Sequence, residues 1–508
     1  MQVIKKNNFI ILSFALLSLI LIISNFLFLT KAYGSLIAVI DSGVDTSVDI
    51  IRDHLWVNKY DIPYNSIDDD DNGYIDDIFG WNFIDNNNLV IDDRYQGLFN
   101  SDHKLFFDIQ SKITYATATV NEILWIKQKL NDKKFMKKIK TLGTYIHGTH
   151  VAGIAVNDTT ENKIQTIKMI STKGSPNDED DEDENNPVSI EDLPLPPEVQ
   201  RDCDIAIARG ISGINLVKYV LSKIISRQME TMKLAVKYAD QTGVQVANAS
   251  FGTGYTQGKM MATIFFRVIL KRFPTSEELT SVTDYFFNQL SLKGKSIFSS
   301  ANKTLFVFAA GNEGISNDIY PSTPANLKLE NTISVAAWMG PSSNREGALA
   351  HFSNFGQKKV EVAAPGVGIV STIPGNKYAT LSGTSQAAPF VSNIAGEILN
   401  INPQLSPSEV KEIIIKTVDY KAALKGKVTS SGVVNKSRAV LAATYSKRYS
   451  LSQAIDLAIA EIKSFPTDNL NSRIRSRITT VIPQIYKDLQ YVNPLPSEFK
   501  NVLDKYVR

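Results

Sequence analysis

Asp41, His147, Asn312 and Ser385 are the residues of this sequence whose types could act together on an electrophile. A serine hydroxyl is a poor nucleophile at neutral pH and needs a base. A neutral imidazole in turn needs a carboxylate that fixes its tautomer and stabilises the imidazolium. Negative charge developing on the attacked group needs hydrogen-bond donors, which a side-chain amide and a backbone N–H at a helix start can supply. Asp41, His147, Asn312 and Ser385 match these roles as orienter, base, oxyanion donor and nucleophile. Taken singly, each has a plainer reading. Ser385 in Gly383-Thr384-Ser385 suits a helix cap, Asp41 and Asn312 suit turns, and His147 with His150 suggests a metal pair. That metal reading lacks a Glu directly after His147 and a third ligand, and it predicts a hydrolase sensitive to chelators but not to serine reagents.

Each candidate stands where an element ends or begins. Residues 36–40 read as a buried strand with Asp41 at its carboxyl end, the end at which open α/β sheets build their sites. Residues 305–310 form another apolar strand that runs into Gly311-Asn312-Glu313-Gly314. His147 and His150 open a small-residue helical run, and Ser385 lies between a β-rich run ending near Leu381 and a helix beginning near Gln386. Further strands are expected at 165–170, 244–249, 333–337 and 360–364. Helices are expected over 202–239 and after the capping box Ser406-Pro407-Ser408-Glu409. This alternation predicts an α/β fold with a mostly parallel sheet. Ser250, Phe251 and Gly252 follow one strand in a turn that an extended backbone could approach.

With 508 residues the chain has room for one large domain with additions. Its 54 basic and 52 acidic residues create no overall field, so no nucleic-acid partner is expected. Cys203 is the only cysteine, which excludes an intrachain disulfide and a Cys-based zinc site. Within residues 1–34, Lys5 and Lys6 precede an apolar run from Phe9 to Leu29. This predicts a cleaved signal peptide or a retained membrane anchor, and either would place the rest of the chain outside the cytoplasm, secreted, periplasmic or tethered. Asp68, Asp70, Asn72, Gly73, the Tyr74 carbonyl and Asp76 match the first nine positions of a calcium loop, but the twelfth is Phe79 and not a bidentate Glu. The expectation is a structural Ca²⁺ held by Asp68, Asp70, Asn72 and Asp76, or else a solvated acidic turn. The lysines between Lys127 and Lys140 read as a solvated face over a packed stripe containing Leu130, Phe135, Met136 and Ile139. The acidic run 178–184 reads as solvated, and the chain from Ser446 onward as a helical charged tail.

The blocks VIDSGVD (39–45), HGTHVAGIA (147–155), NASFG (248–252), AAGNEG (309–314), AAPG (363–366) and GTSQAAPFV (383–391) occur in the order found in subtilisin-like serine proteases. The sequence resembles that family over residues 35–444. The resemblance implies a subtilisin-like three-layer α/β fold, with a mostly parallel central sheet and helices on both faces. The peptidase domain would span 35–445, with insertions near 99–143, 174–200 and 259–290 and a helical extension over 446–508. It implies a triad of Asp41, His147 and Ser385, and an oxyanion site made by Asn312 with the Ser385 N–H. Ser250, Phe251 and Gly252 would pair with the substrate backbone and wall the pocket before the scissile bond. The chemistry would need no cofactor, and residues 67–83 resemble a segment of calcium-loop-bearing bacterial members. Gln386 and Phe390 depart from the family's usual Met and His. The Asp41 strand begins almost directly after the export segment, so the pro-domain that most members carry is not expected. The implied function is an exported serine endopeptidase acting on polypeptides through an acyl-enzyme. The alternative is a membrane-tethered, catalytically silent relative that holds peptides or Ca²⁺.

Overall fold

The computed structural model describes residues 34–159, 161–172, 195–341 and 346–463. The apolar N-terminal run, the acidic run and the chain beyond Lys463 lie outside the described residues. In order, the first part comprises β1 (Leu36–Asp41), a short α1 (Asp49–Arg52), β2 (Gly80–Asn82), α2 (Ser101–Thr114), α3 (Val120–Leu130), α4 (Lys133–Ala155) and β3 (Lys163–Lys168). The middle holds α5 (Pro197–Ala208), α6 (Gly213–Gln241), β4 (Val246–Ala249), α7 (Tyr255–Leu270), α8 (Ser276–Ser300), β5 (Leu305–Ala309), β6 (Thr332–Met339) and β7 (Ala348–Leu349). The last part comprises β8 (Val362–Pro365), β9 (Ile369–Ile373), β10 (Lys377–Leu381), α9 (Thr384–Ile401), α10 (Pro407–Lys416), β11 (Asp419–Tyr420), β12 (Gly432–Val433), α11 (Lys436–Tyr445) and α12 (Leu451–Glu461).

A 10-stranded sheet runs β11-β12-β8-β6-β5-β4-β1-β3-β2, with β7 added beside β6. Its ladders are parallel except β11–β12 and β6–β7. Strands buried on both faces read as continuous apolar runs, and β1 and β5 are built that way. Ile37, Val39, Leu305 and Val307 face one layer, where Val151 of α4 and Ala387 and Val391 of α9 meet them. Ala38, Ile40, Phe306 and Phe308 face the other, against Ile225 of α6, Phe266 of α7 and Phe286 and Phe298 of α8. The expected three layers are present.

Two expectations are corrected. The helix carrying the histidines does not start at them: α4 is one 23-residue helix capped by Asp132, so His147 sits deep inside it. Phe135, Ile139, Leu142 and Ile146 recur at helical spacing and are buried, which carries the basic insertion directly into the segment bearing His147. That insertion closes an apolar cluster of its own, in which Phe106, Ile109, Ile126 and Ile139 pack on Ile373, Ala379 and Leu381 of the β9–β10 hairpin. The second correction concerns the tail. Up to Lys463 it is part of the domain, because Ile455 and Ala458 of α12 are buried in the α4–α9 layer. Arg438 of α11 binds it there, donating from Nε to the Ile462 carbonyl at 2.9 Å.

Candidate active site

Asp41 ends β1, fully buried, and His147 reaches it from α4: Nδ1 of the ring lies 2.7 Å from Asp41 Oδ1. The Ser42 N–H donates to the same oxygen at 2.7 Å, so the carboxylate is oriented by its own backbone. This pairing requires α4 to approach the β1 turn closely. A Cβ on Gly148 would stand 2.2 Å from the Gly43 carbonyl oxygen, and the Gly148 N–H donates to Ser42 Oγ at 3.1 Å. His147 Nε2 is buried and has no hydrogen-bond partner among the described residues.

Ser385 lies in the first turn of α9, where backbone N–H groups have no intrahelical acceptor. Its hydroxyl donates to the Ser250 carbonyl at 2.9 Å, and the Ser250 hydroxyl returns a bond to the Ser385 carbonyl at 2.9 Å. Asn248 Nδ2 donates to Ser250 Oγ at 2.9 Å, and Ser392 Oγ donates to Asn248 Oδ1 at 2.9 Å. The end of β4 is thereby fastened to α9. Asn312 follows β5, and its side-chain oxygen accepts from Thr384 N at 2.8 Å and Thr384 Oγ1 at 2.9 Å. With Oδ1 held in this way, Nδ2 remains as the donor that Asn312 presents.

The structure thus joins Asp41 to His147 and places Asn312 and Ser385 in the lining of one cavity. A family model described as the subtilase family matches residues 33–438. The chain belongs to the subtilase family. Over 442 residues it is 24% identical to Subtilisin-like protease 1 of Plasmodium falciparum (isolate 3D7), an alignment covering 87% of this chain and 46% of that protein. It is 39% identical over 137 residues to the Thermophilic serine proteinase of Bacillus sp. (strain AK1), covering 27% of this chain and 31% of that one. The subtilase thus spans about half the length of the first of these relatives, or less of the second. Among solved structures, one titled for the assembly of subtilase cytotoxin SubAB matches 85% of this chain and 93% of its own, at 17% identity and a TM-score of 0.43.

Beside the subtilase's Ser385 lies a cavity lined by Ser250, Phe251 and Gly252 on one side and by Ala309, Gly311 and Asn312 on another. Contributors not evident from the sequence include Gln257 and Met260, from the inserted helix α7, and Glu313. Glu313 accepts from the Thr256 N–H at 3.1 Å through Oε1, while Oε2 is buried with no hydrogen-bond partner among the described residues. Burial raises its carboxyl above the usual glutamate range, against the opposing effect of the α7 N–H groups. Its place directly after Asn312 was the available signal.

His150 does not join His147 as a ligand. It is completely buried, and its Nε2 donates to the carbonyls of Ile369 and Ala379 at 3.1 and 3.2 Å, tying α4 to the β9–β10 hairpin. Desolvation pushes its pKa down to about 3.

The acidic turn is also rearranged relative to the loop pattern. Carboxylate oxygens of Asp61, Asp68 and Asp70 lie within 4.8 Å of one another, a donor set that fits a hard cation. Asp76 is turned elsewhere, accepting from the Asn65 and Ser66 N–H groups at 3.3 and 3.0 Å. The Asn72 oxygen accepts from the Tyr74 N–H at 2.8 Å. Asp61, which precedes the loop pattern in sequence, joins Asp68 and Asp70. Asp77 beside the cluster is buried, and desolvation raises its carboxyl to about 7.

Proposed function

We propose that this chain is a serine endopeptidase that hydrolyses polypeptides through an acyl-enzyme on Ser385. The observation that carries the reading is the buried bond between Asp41 and His147, which leaves Nε2 of the ring as an unengaged base. In the reaction His147 Nε2 takes the Ser385 proton as Oγ bonds to the scissile carbonyl carbon, and the carbonyl π pair moves onto oxygen. Asn312 Nδ2 and the Ser385 N–H receive that oxyanion. Its collapse expels the amine, which takes the proton from His147, and water then repeats the sequence to free the acid. Before attack the Ser385 hydroxyl must leave the Ser250 carbonyl by rotating about χ1, a change between staggered wells. A substrate N–H arriving at that carbonyl would compete for it and release the hydroxyl.

Export follows, in this reading, from the apolar segment before Lys31, with the peptidase on the non-cytoplasmic side. Asp61, Asp68 and Asp70 would hold a structural Ca²⁺ and take no part in the chemistry. The catalytically silent alternative rests on the engaged Ser385 hydroxyl. The two readings separate on labelling by a serine-directed fluorophosphonate. Wild type is expected to react and to cleave a casein-derived peptide mixture, and Ser385→Ala to do neither. Peptide binding without labelling would favour the silent reading, and undiminished hydrolysis by Ser385→Ala would overturn the serine mechanism.

A further inference from the structure

We propose that the side-chain amide of Gln386 is a third donor to the oxyanion, alongside Asn312 Nδ2 and the Ser385 N–H. The inference rests on the peptidase reading and goes beyond it by giving a catalytic role to the residue after the nucleophile. Gln386 is 2% exposed, and its Nε2 is buried with no hydrogen-bond partner among the described residues. A buried amide nitrogen carries two N–H groups, and leaving both unpaired is unfavourable unless an acceptor arrives.

The place where an acceptor would arrive is marked by Gly383. The point at which a Cβ of that residue would stand lies 2.8 Å from Gln386 Oε1, 3.5 Å from Asn312 Nδ2 and 3.6 Å from Ser385 N. Because Gly383 has no side chain, the amide of Gln386 and the two donors named above converge on one small space. The two ends of a carboxamide have nearly the same shape, so its orientation follows the hydrogen bonds on offer. With oxygen toward this space, lone pairs face the site of developing negative charge and both N–H groups are buried unpaired. With nitrogen toward it, an N–H joins two other donors and only a carbonyl oxygen is buried. The second orientation is the one that a forming oxyanion selects. A bond completed only in the transition state raises kcat without tightening substrate binding.

The test uses the full chain, with active sites counted by fluorophosphonate. Gln386→Met keeps length and burial but removes the donor. It is expected to lower kcat about 10- to 100-fold, with KM within about twofold. Affinity for a peptide boronate, whose tetrahedral adduct places an oxygen in the same site, should fall by a similar factor. Affinity for the N-terminal product peptide should stay unchanged. Gln386→Glu keeps the shape, so it reports even where the Met variant folds poorly. Its kcat relative to wild type should be lowest at alkaline pH, and the deficit should shrink as acid protonates the new carboxylate. A Met variant with wild-type kcat and boronate affinity, or a Glu variant with an unaltered pH profile, overturns this inference alone. A wild-type chain that never reacts with the phosphonate overturns the peptidase reading and this inference together.

Discussion

At the scale of single residues, the site depends on side chains whose other atoms are already engaged. Asn312 is the clearest case, since two bonds from Thr384 leave its Nδ2 one direction in which to point. Asn312→Ala is therefore expected to cut kcat by about 10²- to 10³-fold with KM little changed, measured on a fluorogenic peptide. Equal losses in kcat and in product affinity would mean that the pocket had been disturbed instead. Glu313 gives a second expectation, about specificity. Its Oε2, with no hydrogen-bond partner among the described residues, belongs to a side chain lining the cavity beside Ser385, with Met260 supplying apolar wall. Peptides with Lys before the scissile bond should be cleaved faster than those with Glu, and Glu313→Gln should erase the difference. Burial raises this carboxyl, so acidification neutralises it sooner than an exposed glutamate, and the Lys preference should fade as pH falls. Equal kcat/KM for Lys and Glu peptides in wild type would remove Glu313 from the pocket's chemistry. As candidates, Asp41 and Asn312 stood out in the sequence because each follows an apolar run, and His147 and Ser385 because each sits in a short block of small residues. The resting direction of the Ser385 hydroxyl was not legible there, because it depends on a carbonyl 135 positions away.

At the scale of elements, α4 delivers the base, and its path against β1 decides whether Asp41 and His147 meet. Gly148→Ala would place a methyl group 2.2 Å from the Gly43 carbonyl oxygen, and backbone cannot move as a flexible side chain does. The expected result is a destabilisation of about 1–3 kcal/mol with a large loss of kcat, followed by thermal unfolding and peptide hydrolysis. A variant as active and as stable as wild type would mean that the helix is free to shift. The same helix carries His150 into the β9–β10 hairpin, and this contact has a pH signature. Its folded pKa, about 3, lies below the ordinary 6.5, so its contribution is complete above pH 6.5 and is lost as pH falls toward 3. In a Ser385→Ala background, which prevents self-digestion, this group should lower stability progressively as pH falls across that window. Subtracting the profile of His150→Gln isolates it from His103 and His351, whose pKa values are lowered in the same direction. Identical slopes in the two proteins would exclude it. The early start of α4 was missed because the glycines and small residues around His147 suggest a helix beginning. The stripe Phe135, Ile139, Leu142 and Ile146 upstream carries the contrary signal.

For the whole molecule, the two apolar layers on the parallel sheet hold the catalytic strand ends in place, while the acidic turn beside β2 is organised mainly by carboxylates. Asp61, Asp68 and Asp70 concentrate negative charge within 4.8 Å, and like charges so placed repel unless a cation joins them. The turn is not an isolated loop. Tyr238 of α6 donates to Asp77 at 2.6 Å, and Tyr74 packs its ring on Tyr238 and Trp81, so strain in the turn reaches the sheet-facing aromatic core. A cation bound only by the folded chain stabilises it by mass action, about 2.7 kcal/mol at a hundred times its dissociation constant. Adding Ca²⁺ to the chelator-treated Ser385→Ala protein should therefore raise its unfolding temperature by a few degrees, in a concentration-dependent way. Asp68→Asn should weaken that response and Asp61→Asn should weaken it equally, whereas Asp76→Asn should leave the calcium dependence in place even if it lowers stability. That last contrast separates the folded cluster from the linear loop pattern, in which Asp76 is a ligand and Asp61 is not. Calcium dependence lost in Asp76→Asn and kept in Asp61→Asn would restore the linear pattern. An unfolding temperature indifferent to Ca²⁺ in every variant would leave these carboxylates as a solvated turn.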